Sequence, residues 1–296
     1  MVKVNAARTN LGWRMLTLLA LGLALMLGTA MAQPYQEAPM LAEMVAAGEL
    51  PPVEERLPET PLVIAVDEEV GTYGGVIRRG FTGPGDHNNY TRWSYDSLLR
   101  FAVDGSEIVP HIIESWEASP DYHTWTLHLR SGMKWSDGHP FTADALLFYY
   151  EAVLQNEDLT PSVPVWIANR DGTLASMTAP DEYTVQVTFD FPYTLFPLEL
   201  TFRDGGDRTL AAHLPGHYLQ QFHPDYADQA DIDRMVSEAG LNDWTQLFMQ
   251  KGIITDNPDR PSTAAWVPYQ SSVSDQIFTL RRNPYYIGVD SEGNQL

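Results

Sequence analysis

His123-Thr124-Trp125-Thr126-Leu127-His128-Leu129-Arg130 alternates polar and apolar residues without a break. Successive side chains of a strand point to opposite faces, so a period of two describes a strand buried on one side and wet on the other. Shortly after it, Trp135-Ser136-Asp137-Gly138 supplies an Asp-Gly turn. Thr142 then stands where a hydroxyl can cap a helix running to about Gln155, and Asp144 in its first turn complements the positive helix end. Ala145, Tyr149, Ala152 and Val153 give that helix its apolar stripe. A half-buried strand, a tight turn and a capped helix therefore form one unit.

The same reading extends outward. Residues 174–178 and 183–189 predict a hairpin around Ala179-Pro180-Asp181-Glu182, with Tyr183, Val185, Val187 and Phe189 on one face. After Pro197 the pattern turns helical, with short segments near 217–221, 232–239 and 244–250, and residues 276–281 return to strand. Upstream, Leu62-Val63-Ile64-Ala65-Val66 reads as a buried strand. Gly71, Gly74 and Gly75 turn the chain into a second strand at 76–79, followed by a loop at 80–89. Residues 33–60 are rich in Pro and Glu and predict an extended segment. Within it a short amphipathic helix at 40–47 is stopped by Gly48 and Pro51-Pro52. Hairpins interspersed with capped helices, and no internal repeat, predict a mixed α+β arrangement in the α/β class.

Bulk properties narrow the function classes. The 296 residues are 44% apolar, enough for one or two ordinary cores. The net charge is −21, and loss of residues 1–32, which carry three basic and no acidic residues, takes it to −24. Such a surface repels phosphate backbones, so nucleic acid is excluded as a partner. The chain has no cysteine, which removes disulfides, thiolate metal sites and a lipidated N-terminal cysteine. Lys3, Arg8 and Arg14 precede or open an apolar run from Met15 to Leu27 that ends in Ala30-Met31-Ala32. This is the order of a secretory signal, with cleavage expected after Ala32; an uncleaved anchor is the alternative.

No catalytic constellation emerges. His213 and His217 are four apart, but Pro215-Gly216 interrupts the helix that would align them, and no HExxH glutamate is present. His123 and His128 fall on opposite faces of their strand, while His87, His111, His139 and His223 read as loop or surface residues. There is no G-x-S-x-G elbow, and Gly71-Thr72-Tyr73-Gly74-Gly75 lacks the spacing of a phosphate cradle. No enzyme, metal or cofactor is expected. Aromatic residues are instead abundant, with 8 Trp, 14 Tyr and 11 Phe. Tyr90, Trp93, Trp166, Tyr218 and Trp266 sit beside turn residues, where ring faces and polar tips suit solute recognition.

Between Pro110 and Asp144 the sequence resembles a known family. Pro110-His-Ile-Ile-Glu-Ser-Trp-Glu-Ala-Ser-Pro-Asp121, Thr124-Trp-Thr-Leu-His-Leu-Arg130 and Gly132-Met-Lys-Trp-Ser-Asp-Gly-His-Pro-Phe-Thr142-Ala-Asp144 are similar to the signature of family 5 extracytoplasmic solute-binding proteins of ABC importers. Ile112-Ile113 and Asp144-Ala145 depart mildly from that signature. Similar stretches recur at Tyr73-Gly74-Gly75, Pro215-Gly216-His217-Tyr218-Leu219 and Arg282-Asn283-Pro284-Tyr285-Tyr286. The physical reading of Trp116 and Trp135 is that they anchor packing, so function must be argued from a site.

The resemblance implies a periplasmic-binding-protein-like fold of two lobes closing on a ligand. Residues 61–296 would form most of lobe I, ahead of a lobe II that would follow this sequence. It implies a periplasmic monomer that delivers solute to an inner-membrane ABC permease. Peptide is the expected ligand, with oligosaccharide and metal complex as alternatives. A sensor or ligand-presenting chaperone on the same scaffold, or an exported hydrolase, are the competing readings. For ligand contact the residues singled out are Asn88, Asn89, Tyr90 and Trp93, on the loop 82–93, with Tyr218 and Trp266 as second choices.

Overall fold

The alternating stretch around Trp125 lies in the middle of a four-stranded antiparallel sheet. The computed structural model describes residues 35–296 apart from 67, 84–85, 87–95, 204–211, 256 and 272–274. In chain order its elements begin with helices α1 (Pro39–Ala46) and α2 (Val53–Arg56). Strands β1 (Leu62–Val63), β2 (Leu99–Phe101), β3 (Ile108–Pro110), β4 (Ile113–Ala118) and β5 (Thr124–Leu129) follow. Then come α3 (Asp144–Phe148) with a wider π-helical continuation (Tyr149–Leu154), β6 (Ser176–Asp181), β7 (Thr184–Thr188) and α4 (Phe196–Leu200). The remainder is α5 (Gly216–Leu219), α6 (Gln229–Ala239), α7 (Trp244–Gly252), β8 (Trp266–Pro268), β9 (Leu280–Arg282) and β10 (Gly288–Val289).

The sheet order is β4-β5-β7-β6, with Trp125 opposite Val187 and Leu127 opposite Val185. Trp125, Leu127, Leu129, Val185, Val187 and Met177 are buried on one face. The other face is polar: Thr124 and Thr188 hydroxyls lie 3.0 Å apart, and Gln186 donates to the Thr126 hydroxyl. This is the one-sided burial that antiparallel sheets tolerate. The predicted hairpin forms, but its turn sits later, between Asp181 and Thr184. Strand β6 runs on through Pro180 with an irregular register. A proline without an N–H is tolerated there because β6 is an edge strand.

Trp135 N–H and His139 N–H hold the predicted Asp-Gly turn, donating respectively to His139 C=O at 2.8 Å and to Asp137 Oδ1 at 3.0 Å. Gly138 adopts φ +87°. The Thr142 hydroxyl accepts from Asp144 N–H at 3.3 Å, and Ala145, Tyr149, Ala152 and Val153 are all buried. What the sequence did not predict is the π-helical second half. It frees carbonyls from the regular ladder. His223 Nε2–H donates to Ala152 C=O at 3.0 Å and the Thr160 hydroxyl to Val153 C=O at 2.7 Å. His223 is therefore a buried framework residue, against the surface reading. His111 is buried too, with its Nδ1–H donating to Ser97 C=O at 2.8 Å. Burial, then the nearby Arg100 charge, lowers the His111 pKa to about 3.

The early strands differ most from expectation. Only Leu62 and Val63 pair, in parallel with Gly288 and Val289, and Val63 and Ile64 are exposed. Residues 76–79 form no strand, and Val76 and Ile77 are open to solvent. A strand is stabilised by neighbours that cover its apolar face, and the apolar side chains of Val76 and Ile77 are left uncovered.

The 36–60 segment is bound into the rest of the chain. Gln36 bridges Asn294, and α1 ends on Gly48 at φ +75°. Glu49 N–H donates to Met44 C=O and Gly48 N–H to Val45 C=O, a Schellman closure. Arg56, fully buried, donates to the carbonyls of Pro51 and Pro284, to Gln295 Oε1 at 2.7 Å and to Glu37 Oε2 at 2.5 Å.

Candidate functional site

Asn88, Asn89, Tyr90 and Trp93 lie outside the described residues. The two other candidates, Tyr218 and Trp266, stand in different surroundings.

Tyr218 is carried by α5, which starts at Pro215-Gly216. A side chain at position 216 would meet Phe148 at 2.9 Å, so glycine lets the helix close against α3. The Tyr218 ring meets Phe222 edge-on at 5.5 Å, and its hydroxyl accepts from Asn257 Nδ2 at 2.8 Å. The Asn257 amide also donates to Lys251 C=O. Burial raises the Tyr218 pKa. The ring is half-buried and its hydroxyl already has a partner.

Trp266 belongs to the β8–β9 hairpin, where it is paired directly with Arg282. Cross-strand neighbours on one face lie close enough to touch. The Arg282 guanidinium sits 5.7 Å from the Trp266 ring and 5.3 Å from the Tyr73 ring. Tyr73 O–H donates to Gln295 C=O at 2.8 Å, and Arg282 Nη1–H donates to the same oxygen at 3.3 Å. Burial lowers the Arg282 pKa and raises that of Tyr73. A second cation, Arg281, lies 5.0 Å over the Tyr269 ring. Guanidinium over an aromatic face is worth about 0.5–2 kcal/mol depending on exposure. Sequence reading missed Tyr73, Tyr269, Arg281 and Arg282 as partners of this surface. The available signal was a pair of arginines in a strand facing an aromatic strand.

A third group of chemistry-bearing side chains gathers at the Asp-Gly turn. His217 Nε2 lies 2.9 Å from Asp137 Oδ2, and the His139 and His217 rings stack at 3.9 Å with 12° between their planes. His213, four residues earlier, is instead fully buried against Trp135 and Phe141. Burial takes its pKa down to about 3, so it is neutral. Among the described residues no group of three His, Cys, Asp or Glu side chains could hold a metal ion. What the surfaces offer is aromatic stacking and guanidinium donors, the equipment of recognition.

The family model described as "Bacterial extracellular solute-binding proteins, family 5 Middle" matches residues 107–294. The periplasmic alpha-galactoside-binding protein of Rhizobium meliloti (strain 1021) is 33% identical over 290 residues, covering 88% of this chain and 38% of that protein. Among solved structures, an oligopeptide-binding protein OppA is similar with a TM-score of 0.81 and 38% identity, over 88% of this chain and 40% of its own. The periplasmic binding protein MelB of Agrobacterium fabrum C58, solved with stachyose, gives a TM-score of 0.65 and 30% identity over 88% and 39%. The chain thus spans about two-fifths of the length of these relatives. Its mixed helix and strand architecture is the α/β fold of the two-lobed periplasmic binding proteins.

Proposed function

Because this chain belongs to the bacterial extracellular solute-binding proteins of family 5, we propose that it serves the capture of a small solute in the periplasm and its delivery to an ABC permease in the inner membrane. The observation that carries this reading is the family match over residues 107–294, which takes in the strand, turn and capped helix. The polypeptide acts as a monomeric binding protein, without catalysis, and is exported by a signal at residues 1–32 that is cleaved after Ala32.

The proposed ligand is an oligopeptide, supported by the likeness to OppA. A second reading, an α-galactosyl oligosaccharide, is favoured by the Rhizobium relative and by the stachyose complex. Trp266 supplies a stacking face beside Arg282, and Asn88, Asn89, Tyr90 and Trp93 supply polar and ring contacts. Residues 61–296 contribute to one lobe, and solute that binds the closed arrangement more tightly than the open one drives closure.

The test is thermal unfolding of the full-length gene product, with both lobes present, in the presence of a tetrapeptide, stachyose or a chelated metal. A ligand at a hundred times its Kd adds about 2.7 kcal/mol of stability. Stabilisation by peptide alone supports the first reading, and by stachyose alone the second. Failure of every solute class to raise the unfolding temperature overturns both.

A further inference from the structure

The turn residues 135–139 and helix α5 are joined at a single point, and that point is made of titratable groups. Asp137 uses both carboxylate oxygens: Oδ1 accepts from His139 N–H at 3.0 Å and Oδ2 lies 2.9 Å from His217 Nε2. The His139 ring lies flat on the His217 ring at 3.9 Å. Trp135 closes the inner side, 6.0 Å from both His217 and His213. Tyr285 closes the other, its hydroxyl so near Gly138 that a Cβ there would stand 2.8 Å from it. The junction therefore ties together three separated segments, at 135–139, 216–219 and 283–286.

We propose that Asp137, His139 and His217 form a proton-operated latch between the Asp-Gly turn and helix α5, closed when at most one imidazole is charged and loosened when both are. One carboxylate matches one imidazolium. A second proton places two cations face to face at 3.9 Å with the one Asp137 carboxylate to serve both. Among the described residues, the other groups around the latch do not supply the missing charge. His213 is buried and neutral, Tyr285 is a phenol whose pKa burial raises, and Arg56, which acts on Tyr285, is itself positive.

The directions agree with this geometry. Burial, and then the charge of His217, lowers the His139 pKa. Its latch contribution is therefore present above the unfolded value near 6.5 and is lost as pH falls below it. Burial pushes Asp137 up, but the bonds from His217 and the His139 N–H outweigh it and leave the carboxyl lowered. Asp137 is thus favoured as the carboxylate that faces the two imidazoles.

The experiment is an NMR titration of the imidazole protons in the full 296-residue chain and in H217N. The His139 midpoint is expected to rise by about 0.7 pH unit in H217N, the water-limit repulsion of two unit charges 4 Å apart. A His139 midpoint that does not move overturns the latch. Amide exchange provides the second measurement, corrected for intrinsic rates. Protection of the Gly138 and His139 N–H groups should fall about fivefold between pH 7 and pH 5, the same 0.7 unit expressed as an equilibrium constant. H139N should abolish that fall, and because His139 is exposed the variant keeps the core intact. Protection that falls equally in H139N, or not at all in the unsubstituted chain, refutes the proposal. Neither measurement uses a ligand, so its failure is separate from failure of the solute-binding reading.

Discussion

Replacing Arg56 by methionine should be among the most damaging single changes outside the sheet. The side chain has no exposed surface, and its guanidinium holds the Pro51 and Pro284 carbonyls, Gln295 Oε1 and Glu37. Gln295 also donates to the Pro284 and Tyr286 carbonyls, and its N–H donates to Gln36 C=O. Removing the cation thus leaves a carboxylate and several acceptors short of donors at one place. Breaking a buried ion pair from one side costs roughly 3–5 kcal/mol. Glu37 keeps 19% of its side chain exposed and can partly rehydrate, so R56M is placed at the low end, about 3 kcal/mol. For a chain of this size that is roughly 6–12 °C in the unfolding midpoint. R56K keeps charge but cannot reach all the acceptors from one nitrogen, and should lose about half as much. In E37Q/R56M the unpaired carboxylate is gone, so the double variant should be more stable than R56M by about 1 kcal/mol. Urea denaturation of the four proteins decides the matter. An R56M chain within about 1 kcal/mol of the parent, or a double variant worse than R56M, would refute the reasoning.

Three further outcomes follow from the core. Leu127→Ala empties a fully buried position opposite Val185 and should cost about 2–5 kcal/mol by urea denaturation. Gly138→Ala forces a side chain into φ +87° and against the Tyr285 hydroxyl, costing at least about 1–2 kcal/mol for the backbone alone. His213 folds neutral, with a pKa of about 3, and unfolds to an ordinary imidazole near 6.5. Below pH 6.5 the unfolded chain therefore takes a proton that the folded chain refuses, and stability falls by up to about 1.4 kcal/mol per pH unit for each such group. His213→Phe, flanked by Trp135 and Phe141, should flatten the acid limb of a stability profile between pH 6.5 and 4 while leaving the neutral plateau nearly unchanged. An acid limb as steep as the parent's would sink that assignment.

What the sequence made legible, and what it hid, follows from the range of the forces involved. The Trp125 strand, its turn and the Ala145–Tyr149–Ala152–Val153 stripe are written in local periodicity, and the structure keeps all three. The Gly48 stop is likewise local, whereas the Asp228 cap, whose carboxylate accepts from Ala230 N–H, starts its helix ahead of the segment expected near 232–239. The strand expected at residues 62–66 depends instead on partners from distant sequence: only Leu62 and Val63 find them, at Gly288 and Val289. Arg56 was one basic residue in a Pro- and Glu-rich stretch, and its burial is decided by Gln295 and Pro284, more than two hundred residues away. The buried state of His111 and His223 was hidden for the same reason: each sets one ring nitrogen on a backbone carbonyl, at Ser97 and Ala152, which no residue pattern announces. The candidate site combines both cases. Trp266 beside a turn could be singled out, whereas the guanidinium on which it stacks became its neighbour only once β8 and β9 were paired in register. A recognition surface built from cross-strand pairs is therefore legible to the degree that its hairpin is. Here the hairpin carried little of its signal: the strand expected at 276–281 forms only at Leu280–Arg282, and nothing in Trp266-Val267-Pro268 marked it as the partner.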